Sequence, residues 1–161
     1  MNTADVADTL DMLFGELAGG APEGGAFILN PGDAGLLGSL DVLDAEQASA
    51  SIHGGATVAA HADHMAYALS LLNRWAAGEN PFHDSDWSVA WRRTTVTETE
   101  WAEIRRMLRG QVEQWRTALR TPRDVQPIEL NGMIASIAHL AYHLGAIRQI
   151  QPAAKGPPNG G

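Results

Sequence analysis

The sequence predicts an all-α fold, a four-helix bundle with a long irregular loop between its second and third long helices. Three observations point there. Four stretches carry apolar residues at the three- and four-residue spacing of a helix face, capping residues mark several of their ends, and no stretch alternates apolar and polar residues as a half-buried strand does. The chain has 161 residues and 45% hydrophobic composition, enough for one domain around one core. That domain is expected over residues 1–150, with a flexible Pro/Gly-rich tail at 151–161.

The first helix is expected over residues 5–17, where Val6, Leu10, Leu13, Phe14 and Leu17 form a stripe that stops at Gly19-Gly20. Residues 19–40 are rich in glycine and contain the turn sequence Asn30-Pro31-Gly32-Asp33, so an irregular course with a short apolar segment at 27–29 is expected. Asp44-Ala45-Glu46-Gln47 has the form of a capping box opening a short helix. A long periodic run over residues 57–77 then ends at Gly78, a residue able to take the left-handed conformation that closes a helix.

Residues 78–96 hold Asn80-Pro81, Asp84, Asp86, Trp87 and Trp91 without a period, and read as a long structured loop. Thr97 and Glu100 form a second capping box, with Val96 and Trp101 placed as a hydrophobic staple. The helix that begins there carries Trp101, Ile104, Leu108, Val112, Trp115 and Leu119 on one stripe and ends at Thr121-Pro122. The last helix is expected over residues 131–150.

The formal net charge of -8 argues against a surface that tracks phosphates, since nucleic-acid binders carry a basic footprint. Arg105, Arg106, Arg109, Arg116, Arg120 and Arg123 follow Glu98, Glu100 and Glu103 along one helix, acids first and bases later, as the helix dipole favours. They read as a solvated or subunit-facing surface. The first 73 residues contain acids but no Lys or Arg, an asymmetry that suits a homodimer in which acidic and basic halves meet. The N-terminus is acidic rather than basic, and no apolar run approaches the roughly 18 residues of a membrane span, so a cytoplasmic protein without a membrane partner is expected. There is no cysteine, so any metal must bind through nitrogen and oxygen.

His139 and His143 lie four residues apart in the last helix, and His61 and His64 lie three apart in the second long one. Each spacing turns both imidazoles toward one side of its helix. His64 shares a face with Ala60, Ala68, Leu71 and Trp75, with His61 bordering it one turn earlier; His139 and His143 align with Gly132 and Ser136. A single buried histidine is more often a hydrogen-bonded core residue than a ligand. A His-x-x-x-His pair facing a second histidine-bearing helix shifts that balance toward a shared ion, because burying several imidazoles together is costly without a partner for each. Leu140 follows His139, so the glutamate base of the zincin hydrolases is missing. His64, His139, His143 and His61 are therefore the candidate metal ligands.

Ala60-His61-Ala62-Asp63-His64-Met65, together with His139-Leu140-Ala141-Tyr142-His143-Leu144-Gly145-Ala146-Ile147-Arg148-Gln149-Ile150, resembles the DinB-like (DinB/YfiT) superfamily of metal-binding four-helix-bundle proteins. The resemblance spans residues 5–150 and is most specific in the Tyr-His-Leu-Gly and Ile-Arg of the last helix. It implies a divalent ion, zinc or nickel, held by His139, His143 and one histidine of the second long helix. His64 falls at that ligand position; His61 is the alternative, as the ligand itself, a fourth ligand or a supporting hydrogen-bond donor.

The resemblance further implies an S-transferase that activates a low-molecular-weight thiol, or a hydrolase that activates water, acting on a small-molecule substrate, and a homodimer. Three neutral imidazoles leave a coordination position open, and the charge of the ion lowers the pKa of whatever water or thiol enters it. A non-catalytic metal-binding or dimeric interaction module is the alternative. No catalytic residue is assigned. Asp63 reads as a solvated carboxylate, Tyr142 points off the face of the late histidines, and Arg148 satisfies carbonyls at its helix end or holds an anionic substrate. Trp87 and Trp91 are candidates to wall a pocket, while His53 and His83 read as exposed and unbound.

Overall fold

A computed structural model describes residues 2–157, so positions 158–161 of the expected tail lie outside the described residues. Within them the chain is all-α, with one isolated bridge between Asn2 and Asp124 in place of any strand. The helices are α1 (Ala7–Gly19), α2 (Gly35–Asp41), α3 (Ala45–Ser49), α4 (Val58–Ala76), α5 (Glu98–Arg120) and α6 (Pro127–Ile150), with 3-10 turns at Val89–Trp91 and Pro152–Ala154. Six helices, not four, correct the four-helix bundle expected from the sequence.

The reason for the difference lies in the glycine-rich segment. Gly20 and Gly35 both have positive φ, and a Cβ on Gly35 would stand 2.5 Å from the Gly20 nitrogen and 2.9 Å from the Leu17 carbonyl oxygen. These glycines therefore let the end of α1 and the start of α2 touch backbone to backbone, which permits a helix rather than preventing one. Leu36 and Leu40 of α2 are fully buried with Phe14 and Leu17 of α1. Between the two helices the buried Glu16 carboxylate accepts the backbone N–H groups of Phe27, Ile28 and Leu29 at 3.0, 2.6 and 2.6 Å. Burial pushes this carboxyl up, but the three donors outweigh it and hold it below the usual range.

Local capping sets the other helix starts. Asp44 accepts from Gln47 N at 2.8 Å, Thr57 Oγ1 from Ala60 N at 3.2 Å, and Thr97 Oγ1 from Glu100 N at 3.3 Å. Helix α6 begins at Pro127, before the expected residue 131, because proline suits the first helical position and Gln126 N donates to Glu129 Oε2 at 2.7 Å.

The predicted stripe of α5 is buried throughout, from Trp101 to Leu119. Its two indoles find acceptors inside the protein: Trp101 Nε1 donates to the Leu43 carbonyl at 2.8 Å and Trp115 Nε1 to Ser136 Oγ at 2.9 Å. The arginines of α5 reach back to the acidic first part of the same chain. Arg109 and Arg105 pair with Asp41 at 2.8 and 3.5 Å, and Arg116 and Arg120 with Asp11 at 2.7 and 3.7 Å. The charge asymmetry is thus satisfied in part within one chain. Among the described residues no helix is long and apolar enough to cross a membrane.

Candidate metal centre

Helices α4 and α6 pack against each other and bring all four candidate histidines together. His64, His139 and His143 each offer one ring nitrogen, and the three nitrogens lie within 4.8 Å of one another. His64 Nε2 is 3.2 Å from His139 Nε2, which is 2.8 Å from His143 Nε2. Nitrogens bound to one cation at the zinc distance of ~2.0–2.1 Å stand roughly 2.9 Å apart at a right angle and 3.4 Å apart in a tetrahedron. These two spacings sit close to that range and the third stays within 4.8 Å, so this donor set fits a small divalent ion.

The proton inventory favours the same reading. A neutral imidazole carries one N–H, and three Nε2 atoms facing one another cannot all be donors and acceptors in turn. A cation at their centre engages three lone pairs at once. All four rings are held neutral for it: burial pushes His143 down to about 3 and His64 to about 4, each helped by neighbouring histidines, and burial alone lowers His61 and His139.

His61 stands outside the triad. Its Nδ1 is 2.7 Å from His143 Nδ1, on the side of the His143 ring away from the three converging nitrogens. The structure therefore brings His64 into the triad and places His61 behind His143.

The segment between α4 and α5 covers the cluster. Trp91 stacks on His64 with ring centres 4.4 Å apart and meets His61 edge-on at 5.3 Å, and Trp87 lies 5.8 Å from His64. This cover is tied down at three points. Tyr67 Oη accepts from Asp86 N at 2.9 Å, Thr57 Oγ1 donates to the Thr94 carbonyl at 2.9 Å, and Arg93 pairs with Asp63 at 3.6 Å. Asp63 is thus a partly buried ion-pair partner rather than a solvated carboxylate; burial raises its pKa most, with Arg93 opposing.

Arg148 is likewise engaged. Its guanidinium grips Asp33 through two hydrogen bonds of 2.8 and 2.6 Å, donates to Ser39 at 3.1 Å, and reaches the Ala154 carbonyl at 3.2 Å. It ties α6 to the turn before α2 and to residues beyond its own helix, so it is not free for an anionic substrate. Tyr142 is exposed, edge-on to His143 at 5.0 Å, and His53 and His83 are exposed.

Beside His139 the α4–α6 junction opens into a cleft of about 480 Å³, walled by Leu72, Trp75, Phe82, Trp87 and Ile128. A Cβ on Gly132 would stand 2.6 Å from the Trp75 ring, so glycine at this position lets the indole lie against α6. In the sequence Trp75 shares the His64 face and Gly132 the His139 face, with nothing local to join them. Phe82 and Ile128 carried no such signal, one lying in an aperiodic segment and the other ahead of the expected helix start.

Compared with family models, curated proteins and solved structures, the chain matches none of them.

Proposed function

We propose that this protein is a divalent-metal-dependent enzyme of the DinB-like type, in which His64, His139 and His143 hold zinc or nickel and His61 supports His143. Its reaction is the transfer of a low-molecular-weight thiol or a hydrolysis, performed on a small molecule. The observation that carries this reading is the convergence of three imidazole nitrogens, two of them buried and that of His139 partly buried, from two helices at the edge of an apolar cleft. A three-nitrogen set leaves a position for a further ligand, as catalytic rather than closed structural sites do.

An ion held there would supply the positive charge that makes a water or thiol nucleophilic near neutral pH. The protein's own part is to keep the imidazoles deprotonated by burial, to fix the His143 tautomer through His61, and to shield the cluster with Trp91 and Trp87. The DinB-like assignment rests on the motifs of α4 and α6, and the homodimer on that resemblance together with the charge asymmetry of the sequence.

Elemental analysis of the purified protein tests the reading. About one divalent ion per chain is expected, lost in the His139→Ala, His143→Ala double variant. Full retention of metal in that variant overturns it. A cobalt-substituted protein whose spectrum ignores added thiol and shows four protein ligands would instead favour the non-catalytic module.

A further inference from the structure

We infer that the cleft beside His139 is a binding site for an uncharged, aromatic or otherwise apolar small molecule, seated with one end at the histidine triad. The cleft takes its walls from three parts of the chain: Ala68, Leu72 and Trp75 of α4, Phe82 and Trp87 of the covering segment, and the first half of α6 from Ile128 to His139. Its volume of about 480 Å³ falls within the range of small-molecule sites. The Trp75 and Phe82 rings meet edge-on at 5.3 Å and form an aromatic corner suited to stacking a flat ligand.

Polarity decides the ligand class. Among the described residues no Lys, Arg, Asp or Glu lines the cleft, so a carboxylate, phosphate or ammonium group lodged there away from the triad would lose water without gaining a partner. The whole chain carries a net charge of -8, which further disfavours anions. Polar atoms lie at its margin in Asn131, Ser136 and His139. Ser136 is already committed, accepting from Trp115 Nε1 at 2.9 Å and donating to the Met133 carbonyl at 2.6 Å. What remains is a largely apolar chamber with an imidazole of the triad in its wall. Such a wall orients a hydrophobic molecule so that its reactive end approaches the ion. That last step rests on the metal-enzyme reading above; the binding preference does not.

The test is a fluorescence titration with phenylnaphthylamine, a neutral aromatic probe, against naphthoate as its charged counterpart. Saturable binding of about one neutral probe per chain is expected, with naphthoate at least about tenfold weaker in chelator-treated protein, where no ion can take its carboxylate. Ala135→Trp, which fills the cleft from an exposed position of α6, is expected to weaken the probe at least about tenfold. Ile128→Glu, which sets a charge at an exposed rim position, is expected to do the same and guards against a packing artefact in the first variant. Equal binding of naphthoate, no saturable binding, or unchanged affinity in both variants overturns the inference. The metal content of the wild type, read beside its probe binding, separates this from the function proposed above. A wild type without metal that still binds the probe sinks only that function, and a metal-loaded protein blind to the probe sinks only the cleft.

Discussion

His61 and His143 meet Nδ1 to Nδ1 at 2.7 Å in the protein interior, both less than a tenth exposed. One of the two nitrogens must carry the proton, and the rest of the site determines which. His143 Nε2 faces His139 and His64, so for it to present a lone pair to an ion its proton must sit on Nδ1. His143 Nδ1–H then donates to His61 Nδ1, and the His61 proton moves to its far nitrogen. A histidine here takes the role that a carboxylate or backbone carbonyl commonly takes behind a metal-binding imidazole.

Removing this support is expected to loosen the ion without abolishing the site. His61→Ala should weaken metal affinity roughly 10–100-fold, the usual effect of losing such a partner, while saturating metal still gives one equivalent. His61→Asn, whose amide oxygen can accept the same proton, should recover part of the loss. Chelator competition measures both, and affinity unchanged in His61→Ala would show that the contact does not orient His143.

The metal-free protein is expected to lose stability as pH falls below about 6.5. His143 and His64 are depressed to about 3 and about 4 in the folded state from an ordinary 6.5. Between those values the unfolded chain binds protons that the folded one refuses. The contribution is therefore complete above the unfolded value and declines toward the folded ones, by at most about 1.4 kcal/mol per pH unit for each unmatched proton. Urea midpoints at pH 7.5 and 5.5 should separate in chelator-treated protein and lie closer together in His143→Leu. An equal separation in both proteins would mean that these rings do not titrate as argued.

What could be read from the sequence was mostly what is decided locally. The caps at Asp44 and Thr97 lie where the residues indicated, because a cap needs only three or four neighbours. Helix α2 was hidden because seven residues, two of them glycines, cannot hold a helix alone; it exists by packing on α1. Helix α6 is apolar nearly all round, with Ile128, Ile134 and Tyr142 exposed, so periodicity left its inner face weakly marked and histidine spacing carried the site. The cleft depends on Phe82 and Trp87 folding over from an aperiodic segment, a long-range arrangement that no local pattern encodes.

The Asp33–Arg148 pair is expected to matter for folding and not for the metal. Both side chains are largely buried, at 4% and 17% exposure, so removing one partner strands the other charge at a cost of about 3–5 kcal/mol. Burial raises the Asp33 carboxyl, but the Arg148 and Gly35 hydrogen bonds bring it below its ordinary value. Its contribution is thus present above the ordinary carboxylate range and lost as pH falls through the lowered folded value. Asp33→Asn should shift the denaturation midpoint strongly at pH 7 and much less in strong acid, with metal stoichiometry unchanged. A variant as stable as the wild type at pH 7 would contradict this.

Trp91 is expected to report on the centre. Its ring lies 4.4 Å from that of His64, while Trp101 and Trp115 are buried along α5 and donate to Leu43 and Ser136. Nickel is an efficient quencher at short range, so its addition should reduce tryptophan emission in a saturable way that follows metal content. Trp91→Phe keeps an aromatic face on His64 and should retain metal while losing most of the quenching, the remainder coming from Trp87 at 5.8 Å and from Trp75 in the cleft beside His139. If Trp91→Phe is quenched as fully as the wild type, the ion resides elsewhere, and the convergence of His64, His139 and His143 loses its meaning as a metal centre.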